Sequence, residues 1–114
     1  MHMIEAVIKP NRLDAVKTAL VEKGLLGATA LECKGFGKQR GHSERYRGPK
    51  LDAGFVPKVL LKVCVKPEDK DLAVKTILAA ARTGNGEIGD GKIFVYPIAE
   101  VIRVRSGESG PAAV

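Results

Sequence analysis

The stretch KVLLKVCVKPED, residues 58–69, decides how this chain folds. Residues 58–65 are apolar and β-branched enough for a central strand. Lys66, Pro67, Glu68 and Asp69 then predict a helix start, with proline in the first turn and carboxylates near the positive end of the helix dipole. Val74, Ile77, Leu78 and Ala81 follow at helical spacing and predict one buried face. A glycine-rich turn separates that helix from KIFVY, residues 92–96, which reads as another strand. The whole is a strand–helix–strand unit.

Working outward, the first part of the chain repeats the pattern. Residues 3–8, MIEAVI, alternate and are stopped by Lys9 and Pro10, which predicts a strand. Asn11 is placed to cap a helix carrying Leu13, Val16 and Leu20 on one face, and Gly24 ends it. Residues 28–33 predict a strand, residues 101–104 (VIRV) a short final one, and the tail SGESGPAAV is read as small and flexible. Two such units side by side give an α+β fold, a ferredoxin-like βαββαβ sandwich whose four antiparallel strands carry both helices on one face. The other face is then apolar and bare in a single copy, so the chain is expected to associate into a closed cyclic assembly.

The 114 residues make a single domain, residues 1–114, of 45% hydrophobic and 28% charged residues, as in soluble globular proteins. No apolar run approaches the length of a membrane span, and the first residues, MHMIEAVIKP, lack the apolar core and cleavage site of a signal peptide. The cytoplasm is the expected compartment. Cys33 and Cys64 stand singly, without metal-ligand spacing or a disulfide framework, and read as small apolar residues. Nineteen Lys and Arg against thirteen Asp and Glu leave a net charge of +6, which calls for an anionic partner. With three Phe, two Tyr and no Trp, base-stacking nucleic-acid surfaces are not expected. The cations cluster with glycines instead, which suits phosphates and carboxylates on small ligands.

Residues 36–57 join two strands that a short turn would connect, and an excursion of that length points to function. At its start, Gly35, Gly37 and Gly41 let backbone N–H groups converge on an oxyanion, Lys38 adds a cation, and Gln39 offers a carbonyl oxygen to a hard cation such as Mg²⁺. A second cluster, TGNGEIGDGKIFV at residues 83–95, has the composition of a phosphate cradle. It is not a Walker A loop, because its GKI leads into a strand, and a plain glycine-rich turn is the alternative. Arg103 and Arg105 alternate on one face of the expected last strand, so that with Lys58 and Lys92 they would neutralise a triphosphate. His2 and His42 stand alone and no nucleophile–base set can be argued from spacing, so a binding module rather than an enzyme is expected.

The segments IEAVIKP, LDAVKTAL, KGFGKQRGH, ERYRG, PKV, AARTG, IGDGKIFV and VIRVRSGE occur in this order over essentially the full chain. In them the sequence resembles the PII nitrogen regulatory signal-transduction proteins. The resemblance implies a homotrimer with the open sheet faces at its centre, a T-loop at about residues 36–57, a B-loop at about 83–92 and a C-loop at about 102–114. It implies a cleft between subunits for ATP or ADP, lined by Val7, Thr29, Gly35, Gly37, Lys38, Gln39, Cys64, Gly89, Asp90, Gly91, Lys92, Arg103 and Arg105. With MgATP bound, 2-oxoglutarate would be held by Gln39, Gly41 and Lys58, with Gln39 also ligating the Mg²⁺. Arg47 would contact a target protein through the T-loop, with an ammonium transporter first among the candidates and glutamine synthetase another. The chain would then meet a membrane only through a transporter.

Some positions depart from the family pattern. Leu51 and Pro49 stand where members carry a modifiable Tyr or Ser, so control by ligands rather than by covalent modification is expected. Gly54 replaces a common acidic residue, Leu60 and Lys62 replace a different charge pattern, and TGNGEIGDGK is two residues longer than the usual TGxIGDGK. A PII-like sensor with another client, such as a bicarbonate or metal transporter or a nitrogenase-linked target, is the alternative reading. Slow ATP hydrolysis in the same cleft stays compatible with both.

Overall fold

The computed structural model describes residues 1–37 and 54–114. The sites expected at Lys38, Gln39, Gly41 and Arg47, and the departures at Pro49 and Leu51, lie outside the described residues.

Four strands form one sheet: β1 (His2–Ile8), β2 (Thr29–Gly35), β3 (Val56–Val65) and β4 (Gly91–Pro97). Their order is β2-β3-β1-β4 and every neighbouring pair is antiparallel. Two helices, α1 (Leu13–Glu22) and α2 (Lys70–Ala81), complete the expected α+β, ferredoxin-like fold. Period-two burial fixes which side the helices cover. Ile4, Ala6 and Ile8 of β1 and Val59, Leu61, Val63 and Val65 of β3 are buried against Val16, Leu20, Ala73 and Ile77 of the helices. Each buried Ile, Leu or Val there contributes about 1.5–3 kcal/mol on leaving water, and each Ala less.

The opposite face carries the residues in between. The register sets Glu5 across from Lys62 on one side and Phe94 on the other, and Met3 across from Cys64 and Tyr96. Leu31, Phe94 and Tyr96 are all well exposed on it. The bare apolar face read from the sequence is therefore present. Its centre is polar: Glu5 Oε2 accepts from Tyr96 Oη at 2.6 Å and lies 3.7 Å from Lys62 Nζ. The hydrogen bond that Tyr96 donates to Glu5 raises the phenol's pKa, so it stays a donor.

Local departures from the sequence reading have local causes. Asn11 does not cap α1; it lies within a 3-10 turn, Pro10–Arg12, and no side chain caps the helix that follows. Arg12 instead reaches across to the end of α2, donating from Nε and Nη2 to the Ala80 carbonyl at 2.9 and 2.7 Å. Gly24 ends α1 as expected, at φ +82, with Leu25 N–H bonded to the Leu20 carbonyl at 2.9 Å. On α2 the core face runs through Ala73, Thr76, Ile77 and Ala81, which leaves Leu78 exposed rather than buried.

The expected last strand at residues 101–104 does not form. That segment folds back on its own tail: Arg103 N–H bonds the Glu108 carbonyl at 2.8 Å, Gly107 N–H the Arg103 carbonyl at 2.8 Å, and Gly110 N–H the Val101 carbonyl at 3.0 Å. Only one bridge, Ile102 to Ser109, resembles sheet pairing. Gly107 and Gly110 at φ +75 and +82 make this short hairpin accessible, and a local closure costs less chain entropy than joining a distant edge. The tail read as flexible thus closes into a turn, ending in a 3-10 segment at Gly110–Ala113.

Candidate functional site

Antiparallel order brings the ends of β1 and β2 to the same edge of the sheet as the starts of β3 and β4. Ile8 stands across from both Val59 and Gly91, and Gly35 across from Val56. Segments distant in sequence therefore converge there on a cavity of about 440 Å³. Val7 and Phe94 supply its apolar wall; Gly35, Phe36 and Gly37 come from the start of the excursion; Lys58, Gly89, Gly91 and Lys92 complete it. Its size is that of a small-ligand site.

Two contacts shape the cavity. Lys58 Nζ donates to the Gly89 carbonyl at 2.6 Å, joining the foot of the excursion to the loop ahead of β4. Phe36 and Phe55 meet edge to face, with ring centroids 4.9 Å apart, so the chain leaves and re-enters the described fold at a single aromatic pair. A Cβ on Gly54 would come within 3.0 Å of Phe36 Cβ, so the small residue there fits this packing.

The glycines of residues 83–92 have specific causes. Gly91 lies at φ +116 with its Cα turned onto the Val7 backbone, and a side chain there would collide with the Val7 carbonyl. Gly89, at φ +102, likewise occupies a region that L side chains rarely adopt. Asp90 does not face the cavity. Its carboxylate turns into the loop, accepting from Thr83 N–H at 3.0 Å, Thr83 Oγ1 at 2.5 Å and Glu87 N–H at 2.8 Å, with Lys9 Nζ 3.2 Å away. Burial pushes this carboxyl up, but those hydrogen bonds outweigh it and hold the group well below the usual carboxylate range.

The structure thus brings Val7, Gly35, Gly37, Lys58, Gly89, Gly91 and Lys92 to one cavity. It separates the other expected residues from them. Cys64 borders a hollow of about 410 Å³ with Gly27 and Val114, near the opposite end of β3, where burial raises its thiol pKa. Thr29 starts β2 across from Lys62 at that same end. Arg103 and Arg105 do not share a strand face: Arg103 is bound to Glu108 at 2.8 Å and to the Ala112 carbonyl at 3.1 Å within the terminal hairpin. The sequence reading missed the bracing residues Lys9, Thr83 and Glu87. Lys9 lies more than seventy positions from its partners, so no spacing signal marks it.

Fold and cavity together define a small ferredoxin-like protein with a glycine- and lysine-lined cavity at one end of its sheet and an open apolar face. The family model for "Nitrogen regulatory protein P-II" matches residues 1–108. Curated relatives of that name from Microchaete diplosiphon and Nostoc punctiforme are 47% and 48% identical over 114 residues, all of this chain and all of theirs. "Nitrogen regulatory protein P-II 1" of Escherichia coli K12 is 49% identical over the same span. Among solved structures, Arabidopsis thaliana PII bound to citrate superposes with a TM-score of 0.81 at 39% identity, covering 99% of this chain and 91% of that one. The chain belongs to the nitrogen regulatory protein P-II family. Its relatives are regulatory signal transducers rather than enzymes, acting on target proteins in nitrogen regulation. Among the described residues no helix is long and apolar enough to cross a membrane.

Proposed function

We propose that this protein senses ATP and ADP, and 2-oxoglutarate together with MgATP, in clefts between the subunits of a cytoplasmic homotrimer. One observation carries the reading: the nucleotide residues implied by the family pattern fall into two separated groups. The glycine and lysine group lies at one sheet edge, while Thr29 and Cys64 lie at the other end of β3. A second copy whose Thr29 and Cys64 end meets the first copy's cavity would complete one site. The uncovered sheet face supplies the surface for such packing.

In this arrangement the cavity N–H groups and Lys92 hold phosphates, with Arg103 and Arg105 adding charge. Val7 and Cys64 form apolar walls for the base. The chain's chemistry fits a carboxylate effector as well, because Lys58 is a cation at the foot of the excursion whose partner among the described residues is a neutral carbonyl. Gln39, with the ATP phosphates, would hold Mg²⁺. Ligand charge gathered at this foot would set the conformation of the T-loop, whose Arg47 contacts the target, an ammonium transporter or glutamine synthetase. The hydroxyls usually modified are replaced at Leu51 and Pro49, so ligands act as the switch.

Calorimetric titration of the full chain with ATP, ADP and MgATP plus 2-oxoglutarate tests the reading, together with sedimentation mass. Competitive nucleotide binding by a trimer, with 2-oxoglutarate bound only in the presence of MgATP, is expected. A monomer, or a chain to which neither nucleotide binds, would overturn it.

A further inference from the structure

A phosphate-binding loop that carries two carboxylates, Glu87 and Asp90, poses an electrostatic problem, because both would repel the ligand. The arrangement around Lys9 answers it. Lys9 follows β1, and its Nζ lies 3.2 Å from Asp90 Oδ1, 3.3 Å from Thr83 Oγ1 and 3.5 Å from Glu87 Oε1. Thr83 Oγ1 is also 3.0 Å from Glu87 Oε1. Lys58 and Lys92 line the cavity, whereas Lys9 does not. Its side chain is 27% exposed, partly withdrawn from solvent screening.

We infer that Lys9 is a positioning residue for the phosphate loop, acting through Asp90 and Glu87 rather than by touching the ligand. Asp90 ties the two sides of the loop together by accepting from the backbone of Thr83 and of Glu87. Lys9 neutralises the carboxylates that make this brace and anchors it to β1, whose Val7 walls the same cavity. The backbone at Gly89 and Gly91 is thereby held at its left-handed φ before any ligand arrives. The three lysines then divide the work. Lys92 offers charge to the cavity, Lys58 joins the loop to the excursion, and Lys9 braces it from outside.

The inference rests on the reading of the cavity as a nucleotide half-site, and the test separates the two. In the ligand-free full chain, amide hydrogen exchange at Thr83 and Glu87 is expected to quicken about tenfold or more in Lys9→Met and to return toward wild type in Lys9→Arg. By titration, Lys9→Met is expected to weaken ATP about tenfold while leaving adenosine unchanged, since only the phosphates use the loop. In an Asp90→Asn background the same substitution should add little, because the brace is already lost. Unchanged exchange in Lys9→Met, full additivity with Asp90→Asn, or an equal loss for adenosine and ATP would overturn the inference. Failure of the wild-type chain to bind ATP would instead overturn the nucleotide reading, and the exchange experiment would still decide the bracing role.

Discussion

Lys58 Nζ donates to the Gly89 carbonyl at 2.6 Å, so the foot of the excursion and the glycine loop ahead of β4 are one connected unit. A carboxylate ligand offers this ammonium a charged acceptor where the carbonyl offers a neutral one, and charge-assisted bonds are the stronger. Lys58→Met is therefore expected to lower 2-oxoglutarate affinity in the presence of MgATP by at least tenfold, or ~1.4 kcal/mol. ADP affinity should change by less than about threefold, because the loop is still braced through Asp90. Paired calorimetric titrations check this, and an equal loss for both ligands would make Lys58 a general scaffold residue instead.

Gly91 shows how closely β4 approaches β1. Both its φ of +116 and its packing on the Val7 backbone exclude a side chain. Gly91→Ala should therefore cost ~2 kcal/mol or more and lower the thermal midpoint by roughly 10 °C. Gly27→Ala is the control, since a Cβ there meets nothing within 4 Å and φ is not in the left-handed region. Thermal denaturation of the two variants separates a steric requirement from a general sensitivity to alanine.

These positions also show how far the sequence could be read. Strand β1 was legible because alternation put Ile4, Ala6 and Ile8 on one face, which is what a half-covered sheet buries, and β3 because residues 58–65 are apolar and β-branched. The glycine loop's composition led to its reading as a phosphate cradle, but the inward turn of Asp90 was not legible. That turn depends on Lys9, which only tertiary folding brings near. The last strand was misread for a related reason. VIRV has strand propensity, but Gly107 and Gly110 lie just beyond it and permit a hairpin whose hydrogen bonds satisfy the same backbone groups locally. The division of the expected nucleotide residues between two ends of the sheet could not be seen in one dimension at all.

Asp90 gives the loop a defined response to acid. Its folded pKa lies below the unfolded value of about 3.9, so the stability it contributes is fully present above that pH and is lost as pH falls toward the folded pKa. Amide protection at Thr83 and Glu87 should accordingly be level from about pH 8 to 5 and decline only below about pH 4. Asp90→Asn should show weaker protection with no such decline, because no carboxylate remains to titrate. Protection that falls instead near pH 6 to 7 would assign the loop's order to some other group.

The polar centre of the open face makes the last prediction. Glu5 is bonded to Tyr96 Oη and lies 3.7 Å from Lys62 Nζ, in a ring of Met3, Val7, Leu60, Cys64 and Phe94 on the same face. If three copies bury these faces against one another, removing Lys62 alone leaves a carboxylate short of its counter-charge in an apolar interface. Breaking a buried pair in this way costs about 3–5 kcal/mol, whereas replacing both partners with uncharged residues of similar volume is often neutral. Lys62→Met is expected to shift sedimentation from trimer toward monomer at micromolar concentration, and Glu5→Gln combined with Lys62→Met to restore the trimer. Equal dissociation in both variants would mean that the charges specify the assembly rather than merely being tolerated within it. No dissociation in either would place this face outside the subunit contact.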